Sequence, residues 1–356
     1  MKVALIGLSQ SGKSTILSAI SGRQLPVAGS VNIEEAMVPV PDERLDWLTD
    51  FYEPKKTVRA TIDCLDVPGF SFSDEHGRSA AKRLLNQVRT ADMFVIVLRA
   101  FNNSAVPAYG DSVDPVRDFN ELQTELLLAD LELVTTRIER LEKQIHKPTK
   151  TQAQDKAELA LQKKLQQAIE SEKPISTAIA NDTELALIKS LGFLTLKPIA
   201  VVINVDEDKV NEPITLSEQL GDSIAVTAIS AKLEHELSQL DTQSRTEFMA
   251  DLEISEPGVN KFVQSCYQTL GLISFLTVGK DEVRAWPIKA GTTALDAAGK
   301  IHSDIKRGFI RAETFSFEDI KQYGSEKELK NAGKIRLEGK EYVVRDGDII
   351  NFRFNV

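Results

Sequence analysis

The chain has 356 residues, of which 42% are hydrophobic and 27% are charged, and its formal net charge is −10. This length predicts two or three domains, and the composition excludes a wholly disordered or fibrous protein. No apolar run reaches the roughly 18 to 20 residues of a membrane span, and the first residues lack the pattern of a secretory signal. We therefore expect a cytoplasmic protein without a membrane partner.

Cysteine content and charge distribution narrow the class further. Cys64 and Cys266 are too few for a disulfide framework and lack the spacing of metal ligands, so we expect both to be buried. Residues 274–356 carry 15 Lys and Arg against 13 Asp and Glu, so the negative charge lies in the rest of the chain. This asymmetry favours an anionic partner for the tail only weakly, because chance clustering of solvated charges explains it equally well.

Apolar runs of strand length recur along the first 230 residues. They lie at 2–6, 60–65, 93–98, 199–203 and 224–228. Segments of helical length separate them. Runs that are apolar on both faces predict a doubly wound, mostly parallel α/β sheet.

The alternation stops between residues 119 and 196, where apolar residues recur at spacings of four and three. This is the heptad pattern of a helical seam. The seam consists of Leu127, Leu131, Val134, Ile138, Leu141 and Ile145. With a second helix over 152–172, the segment predicts an inserted helical hairpin. Because the seam is short, it favours an antiparallel coiled-coil pair within one chain over a dimer, and we expect a monomer.

A change of pattern near residue 271 marks the last domain. Short β-rich runs at 282–288, 309–315, 341–344 and 348–354 surround one helical segment at 293–307. They predict a small α+β module that is independent of the rest. The expected domains are an α/β domain (1–118 and 197–272), the helical insertion (119–196) and the C-terminal module (273–356).

The segment 7–14 reads GLSQSGKS and fits the phosphate-binding pattern G-x-x-x-x-G-K-[ST]. It follows a predicted strand and precedes a helical segment, which is the context that phosphate binding requires. Its N–H groups and the helix N-terminus face the phosphates, Lys13 reaches the β and γ oxygens, and Ser14 offers a hydroxyl to Mg²⁺. The expected nucleotide contacts are Gly7, Ser9, Gln10, Ser11, Gly12, Lys13, Ser14 and Thr15.

A second phosphate-side motif, D-x-x-G, spans 66–69 at the end of a predicted strand. Asp66 is expected to reach Mg²⁺ through water and the Gly69 amide to sense the γ-phosphate, so that hydrolysis releases the following segment. Phe70 stands where many GTPases carry a glutamine that orients the attacking water. Turnover should therefore be slow unless another residue, a monovalent cation or a partner supplies that polar group.

The base is expected to bind where GTPases carry N-K-x-D, which here reads Asn204-Val205-Asp206-Glu207. Val205 removes the lysine stem that lies along the base, and the longer Glu207 spoils a bidentate contact with guanine. Asn204 keeps an amide that pairs with adenine. ATP is therefore the favoured substrate, and GTP is the alternative if Asp206 or Glu207 reaches guanine after a loop shift. The backbone loop over the base is expected at Ser230, Ala231 and Lys232.

With these motifs in place, the chain resembles the YchF-type Obg-like ATPases, a family within the translation-factor class of P-loop NTPases. The resemblance rests on segments 7–14, 38–45, 66–69, 204–207 and the tail 274–356, and it covers essentially the whole chain. It implies ATP-preferring hydrolysis with Mg²⁺, coupled to ribosomes or to stress and redox regulation of translation. It also implies a TGS-like, β-grasp fold for the tail.

Several positions depart from the family pattern. The family has asparagine where Gln10 stands, a position linked to monovalent cations, so K⁺ stimulation is an open question. The threonine that helps to hold Mg²⁺ after Pro26 is absent, and Ser30 is the expected substitute. The segment after Gly69 lacks the glycine-rich continuation of the family, and the loop after Phe101 lacks a histidine.

A non-enzymatic alternative is a nucleotide-bound adaptor for RNA or ribosomes with negligible hydrolysis. Its support is a mixture of basic and aromatic residues in the tail, a composition that binds RNA backbone and stacks bases. The residues are Lys280, Arg284, Lys300, Lys306, Arg307, Arg311, Trp286 and Phe309. Against it, a small β-grasp core also needs aromatic residues, and we expect Phe309, Phe315 and Phe317 in that core.

Overall fold

The computed structural model describes residues 1–22, 32–110, 112–212, 220 and 224–355. The chain forms two compact units. One consists of Met1–Ala36 and Cys64–Gly258, and the other of Met37–Asp63 and Val259–Val356. None of the helices in these described ranges is long and apolar enough to span a membrane.

The first of two sheets in the described residues has six strands in the order β2-β4-β1-β5-β6-β7. They are β1 (Lys2–Ile6), β2 (Glu34–Pro39), β4 (Thr61–Asp66), β5 (Met93–Ala100), β6 (Ile199–Val205) and β7 (Ala225–Ile229). Strand β5 pairs in parallel with β1 and β6, and β6 pairs in parallel with β7. The five strands predicted from apolar runs are confirmed, and the parallel order confirms the doubly wound α/β prediction.

The helices of this unit connect its strands and build the predicted insertion. They are α1 (Lys13–Ser21), α3 (Glu75–Gln87), α4 (Pro115–Gln144), α5 (Gln152–Glu170), α6 (Asp182–Ile188), α7 (Ala231–Gln239) and α8 (Thr242–Asp251). The sequence sets several of their starts. The Asp74 carboxylate accepts from the Gly77 N–H, and the Asp114 carboxylate accepts from the Arg117 N–H ahead of Pro115. Such side-chain caps satisfy N–H groups that lack a partner in the first turn.

Helices α4 and α5 pack against each other along the predicted seam. Val134, Ile138 and Leu141 are buried in one cluster with Leu165 and Ile169 of α5, and the coiled-coil assignment of this pair stays a prediction. The pair is tied to the α/β core by a buried carboxylate in α4. Asp130 accepts from Arg89 Nη1 (2.7 Å) and from the N–H groups of Leu194 and Thr195.

The second unit contains a mixed sheet in the order β11-β10-β12-β8-β9-β3. Its strands are β3 (Lys56–Val58), β8 (Leu272–Thr277), β9 (Glu282–Lys289), β10 (Phe309–Ser316), β11 (Arg336–Glu338) and β12 (Asp348–Phe354). Its helices are α2 (Glu43–Tyr52), α9 (Gly258–Leu270), α10 (Ala294–Ile301), α11 (Ser303–Arg307), α12 (Phe317–Tyr323) and α13 (Glu326–Asn331). The TGS-like assignment of this unit stays a prediction.

Two predictions for the tail need correction. The strand expected at 341–344 is wrong, because that segment makes only an isolated bridge between Val343 and Thr293. The single helix expected at 293–307 is two helices, since His302 adopts an extended conformation between α10 and α11. Phe309, Phe315 and Phe317 are buried as expected, and so are Cys64 and Cys266.

Residues 37–63 belong to the second unit, whereas the sequence placed them in the α/β domain. Strand β3 joins the sheet through parallel pairing with β9. Arg44, beside the helix cap Asp42, donates to both Asp42 (2.9 Å) and Asp346 Oδ2 (2.8 Å). Strand β3 and helix α2 therefore belong to the same compact unit as the tail, and the independence expected for residues 273–356 stays a prediction.

Candidate functional site

The P-loop lies between β1 and α1, and close packing explains both of its glycines. A Cβ on Gly7 would lie 2.5 Å from the carbonyl oxygen of Val97. Gly12 has a φ of +92°, and a Cβ there would lie 2.1 Å from Asn204 Nδ2. Neither position has room for a larger residue, so the loop follows one fixed path across the strand ends.

Lys13 lies buried beneath this loop. Its Nζ donates to the carbonyl oxygens of Gly7 (3.1 Å) and Leu8 (3.0 Å), with Ser11 Oγ at 3.3 Å. Burial lowers the pKa of Lys13 to about 8, and the charge of Asp66 opposes this shift. A phosphate oxygen accepts a charged hydrogen bond more strongly than a carbonyl does. The ammonium group is therefore held where an incoming phosphate can compete for it.

Among the described residues, Ser14 and Asp66 form a pair of oxygen ligands whose chemistry fits Mg²⁺. The Ser14 hydroxyl donates to the Asp66 carboxylate, and burial nevertheless raises the pKa of Asp66. Among the described residues, Asp66 Oδ1 is buried without a hydrogen-bond partner. The described residues hold no cluster of three or more His, Cys, Asp or Glu side chains suited to a metal. Mg²⁺ typically takes one or two protein oxygens and completes its shell with water and phosphate.

The segment after Asp66 is joined to the P-loop by backbone hydrogen bonds. Phe70 N donates to the Gly7 carbonyl (3.0 Å), and Ser9 N donates to the Phe70 carbonyl (2.8 Å). A Cβ on Gly69 would lie 2.6 Å from Ser9 Cα, so this close approach requires glycine. The Phe70 side chain is 1% exposed and packs against Phe72. It is a core residue and offers no polar group to a water molecule.

Asn204, the last buried residue of β6, braces two loops. Its Nδ2 donates to the Ser11 carbonyl (3.0 Å), and its Oδ1 accepts from the Ala231 N–H (3.0 Å). Ser230 caps α7 by accepting from the Leu233 N–H. One N–H and one lone pair of the Asn204 amide remain for a base. The adenine-reading role of Asn204 therefore stays a prediction beside this bracing role.

The other residues of the predicted base site point in different directions. Val205 packs against the hydrophobic core. Asp206 accepts from the Asn102 N–H (3.2 Å) and so holds the loop after β5. Glu207 is exposed and pairs with Lys232 Nζ (3.0 Å). The Glu207 carboxylate is thus held by the exposed Lys232 side chain, whereas the Asp206 carboxylate is held by the backbone of Asn102.

Two predicted contacts lie at the surface, and one is outside the described residues. Gln10 is exposed with a φ of +63°, a left-handed conformation that is rare for a residue other than glycine. Thr15 is exposed in the first turn of α1. Ser30, the expected substitute ligand for Mg²⁺, lies outside the described residues.

The basic residues of the tail are partly neutralised within their own unit. Lys306 Nζ pairs with Asp296 Oδ1 (2.7 Å), Arg307 with Asp304 (2.9 Å) and Arg284 with Glu282 (3.8 Å). Arg284 also stacks over the Trp286 ring, 4.0 Å from its centroid. Phe309 is buried, so three of the six basic residues and both aromatic residues named for the RNA alternative make contacts within this unit.

Sequence reasoning missed one residue that shapes this region. Arg99 at the end of β5 is buried and donates to the carbonyl oxygens of Phe101, Val106 and Pro107, which fixes the loop beside Asp206. An arginine at the carboxyl end of a buried apolar strand was visible in the sequence and could have indicated a loop anchor.

The parallel sheet, the P-loop with its buried lysine and the adjoining segment 66–70 define a P-loop nucleoside triphosphatase fold. Comparisons with known proteins narrow this class. Residues 272–355 match the family model YchF-GTPase_C, described as a protein of unknown function (DUF933). The ribosome-binding ATPase YchF of Bacillus subtilis is 38% identical over 367 residues, covering 100% of both chains. The chain therefore belongs to the YchF family, which confirms the resemblance seen in its motifs.

Two further matches extend over the whole chain. Obg-like ATPase 1 of Oryza sativa subsp. japonica is 35% identical over 369 residues, covering 100% of this chain and 92% of that protein. The structure of the Schizosaccharomyces pombe YchF GTPase has a TM-score of 0.82 at 29% identity, covering 99% of this chain and 97% of that one.

Proposed function

We propose that this chain binds ATP in preference to GTP, hydrolyses it slowly as a conformational switch, and associates with ribosomes. The observation that carries the proposal is the braced P-loop, in which buried Lys13 lies next to the Ser14 and Asp66 pair. Relatives over the full length of the chain bear the name ribosome-binding ATPase, which supports both the substrate and the partner. Association with ribosomes also supports a cytoplasmic location.

The phosphate chemistry follows from the residues that face the loop. Its N–H groups and the N-terminus of α1 bind the phosphates, and Lys13 transfers its hydrogen bonds from the Gly7 and Leu8 carbonyls to phosphate oxygens. Ser14 and Asp66 would hold Mg²⁺, which neutralises charge on the β and γ phosphates when bound. The Gly69 N–H would then stabilise the charge that develops on the transferred group.

The preference for adenine rests on the two acids after Asn204. A guanine site needs a short carboxylate that accepts from two N–H groups at once. Asp206 is the short one, and it is bound to the Asn102 N–H instead. Glu207 keeps an exposed carboxylate that accepts from a single amino group after releasing Lys232. A GTPase is the second candidate, and it requires Asp206 to leave Asn102.

Slow turnover rests on the buried phenyl ring of Phe70, which replaces a residue able to orient water. The backbone of Gln10 is in the left-handed conformation. Stimulation of hydrolysis by K⁺ would require the Gln10 side chain to reach the phosphates. A monovalent cation or a ribosomal group would raise the hydrolysis rate by supplying the polar group that Phe70 lacks.

One set of measurements tests these assignments. Competition of ATP and GTP against a fluorescent ATP analogue gives the base preference, and single-turnover hydrolysis in Na⁺ and K⁺ gives the rate. Lys13→Ala should lose triphosphate binding with unchanged circular dichroism, whereas Lys82→Ala, which removes an exposed lysine paired with Glu132, should bind normally. Micromolar ATP binding by Lys13→Ala would refute the P-loop assignment, and a tenfold preference for GTP, about 1.4 kcal/mol, would refute the base assignment.

Ribosome association is tested by co-sedimentation of the full chain with ribosomes over a salt series, with and without ATP. Contacts to phosphate groups predict a steep loss of binding with salt. If the full chain hydrolyses no ATP but still co-sediments, the adaptor alternative replaces the ATPase.

A further inference from the structure

The segment that follows Gly69 is held at two separate places. At its start, Phe70 exchanges backbone hydrogen bonds with Gly7 and Ser9 of the P-loop. Two residues later, side chains hold both backbone groups of Phe72. Its N–H donates to Tyr109 Oη (3.3 Å), and its carbonyl accepts from Arg78 Nε (2.9 Å). The path of residues 69–72 therefore depends on groups outside the P-loop.

Tyr109 is itself fixed from three sides. Its hydroxyl donates to Glu121 Oε1 (2.8 Å) in α4, and its carbonyl accepts from Arg117 Nη2 (2.8 Å). The ring packs against the hydrophobic core of the α/β unit. Burial and the nearby Glu121 raise the pKa of Tyr109 to about 12, so the hydroxyl stays protonated near neutral pH. A hydroxyl can accept from Phe72 and donate to Glu121 at the same time, which a phenyl ring cannot do.

We propose that Tyr109 is a positioning residue for triphosphate hydrolysis, because it fixes residues 69–72 between the P-loop and Glu121 of α4. This inference rests on the proposed function. Its action passes through the Gly69 N–H, which meets the γ-phosphate, and not through contact with the nucleotide. Glu121 lies near the start of the 30-residue α4. The Tyr109 hydroxyl therefore joins residues 69–72 to the helical insertion.

The kinetic consequence separates binding from catalysis. Most of the binding energy for ATP is expected from P-loop N–H groups and Lys13, whereas the hydrogen bonds of Tyr109 go to Phe72, Glu121 and Arg117. The Gly69 N–H acts on charge that develops during the reaction, so a loosened segment should lower kcat more than it raises KM. Without the hydroxyl, we expect kcat to fall about tenfold while KM changes less than about twofold.

Steady-state hydrolysis by full-length variants tests this inference. Tyr109→Phe keeps the ring and loses both hydrogen bonds, so kcat should fall. Glu121→Gln keeps a carbonyl that accepts from Tyr109 and should retain most activity, whereas Glu121→Leu should resemble Tyr109→Phe. The double variant with Tyr109→Phe and Glu121→Leu should be no worse than either single one, because the two share one contact. Tyr323→Phe, in the other compact unit, is the matched control and should be unchanged.

Hydrogen exchange of the Phe72 amide in Tyr109→Phe gives a second readout, and exchange should become faster. Unchanged kcat in Tyr109→Phe, or an equal loss in Glu121→Gln and Glu121→Leu, overturns the inference but leaves the proposed ATPase intact. Faster exchange with unchanged kcat also overturns it, since Tyr109 would then be structural only. Absence of ATP hydrolysis in the unmodified chain overturns the proposed function and this inference together.

Discussion

The phosphate side and the base side of the site are built differently. On the phosphate side, backbone geometry, two glycines without room for a Cβ and a buried lysine leave one arrangement available. On the base side, Glu207 and Lys232 are exposed and held mainly by each other. Asn204 links the two sides, because it contacts both Ser11 and Ala231. Phosphate binding should therefore tolerate little change, whereas base preference should be easy to alter.

The largest expected effect comes from Gly12→Ala. The new methyl group would displace the Asn204 amide and strain a φ of +92°, so ATP affinity should fall at least about a hundredfold, near 3 kcal/mol. Gly22→Ala is the matched control, because Gly22 also has a positive φ but a Cβ there would meet no atom of the described residues within 4 Å. Isothermal titration with ATP measures both. Equal affinity losses in the two variants would mean that backbone strain, and not the contact with Asn204, decides binding.

On the phosphate side, the sequence motif records backbone requirements that the packing of the P-loop also has. Gly7, Gly12 and Gly69 stand where packing excludes a side chain. The motif shows this requirement directly, because glycine is the residue without a side chain. The base side was harder, since the direction of Asp206 depends on the loop at Asn102, which Arg99 arranges through three carbonyls. No local pattern reports that direction.

Asn204→Ala should have the next largest effect and bears directly on the link between the two sides. It removes the donor to Ser11 and leaves the buried Ala231 N–H unpaired, which costs about 2 kcal/mol. If bracing is its main role, ATP and GTP should both bind about thirtyfold more weakly. Competition titrations with the two nucleotides measure this. A loss for ATP that exceeds the loss for GTP by tenfold would show instead that Asn204 reads adenine.

The tail shows a second limit of sequence reasoning. Strand β3 has only three residues, and its parallel partner β9 lies more than 200 positions along the chain. Its place in the sheet follows from tertiary packing and from the bonds of Arg44 to Asp42 and Asp346, not from local alternation. Residues 341–344 are the reverse case. Their sequence predicts a strand, but the segment makes only an isolated β-bridge between Val343 and Thr293.

The base side should respond to a pair of changes, Val205→Lys with Glu207→Asp. They restore the lysine stem and the short carboxylate of a guanine site, and they also weaken the pair with Lys232. The ratio of GTP affinity to ATP affinity should rise about tenfold, or 1.4 kcal/mol. The total affinity for the two nucleotides should change less than this ratio. Lys232→Ala is the control for losing the ion pair alone. An unchanged ratio in the double variant would mean that base choice is made elsewhere.

The smallest effect concerns the pH dependence of ATP binding, and it tests the buried lysine on the phosphate side without a mutation. Because burial lowers the pKa of Lys13 to about 8 in the free protein, the ammonium loses its proton as the pH rises through 8. Only the charged form binds phosphate strongly, so ATP affinity should be nearly constant between pH 7 and 7.5 and about fivefold weaker at pH 8.7 than at pH 7. Bound phosphate stabilises the ammonium, so ATP binding at pH 8.5 should take up protons, which titrations in buffers of different ionisation enthalpy detect. Constant affinity to pH 9.5 without proton uptake would mean that Lys13 stays charged throughout. The hydrogen bonds to the Gly7 and Leu8 carbonyls would then stabilise the ammonium enough to offset the effect of burial on its pKa.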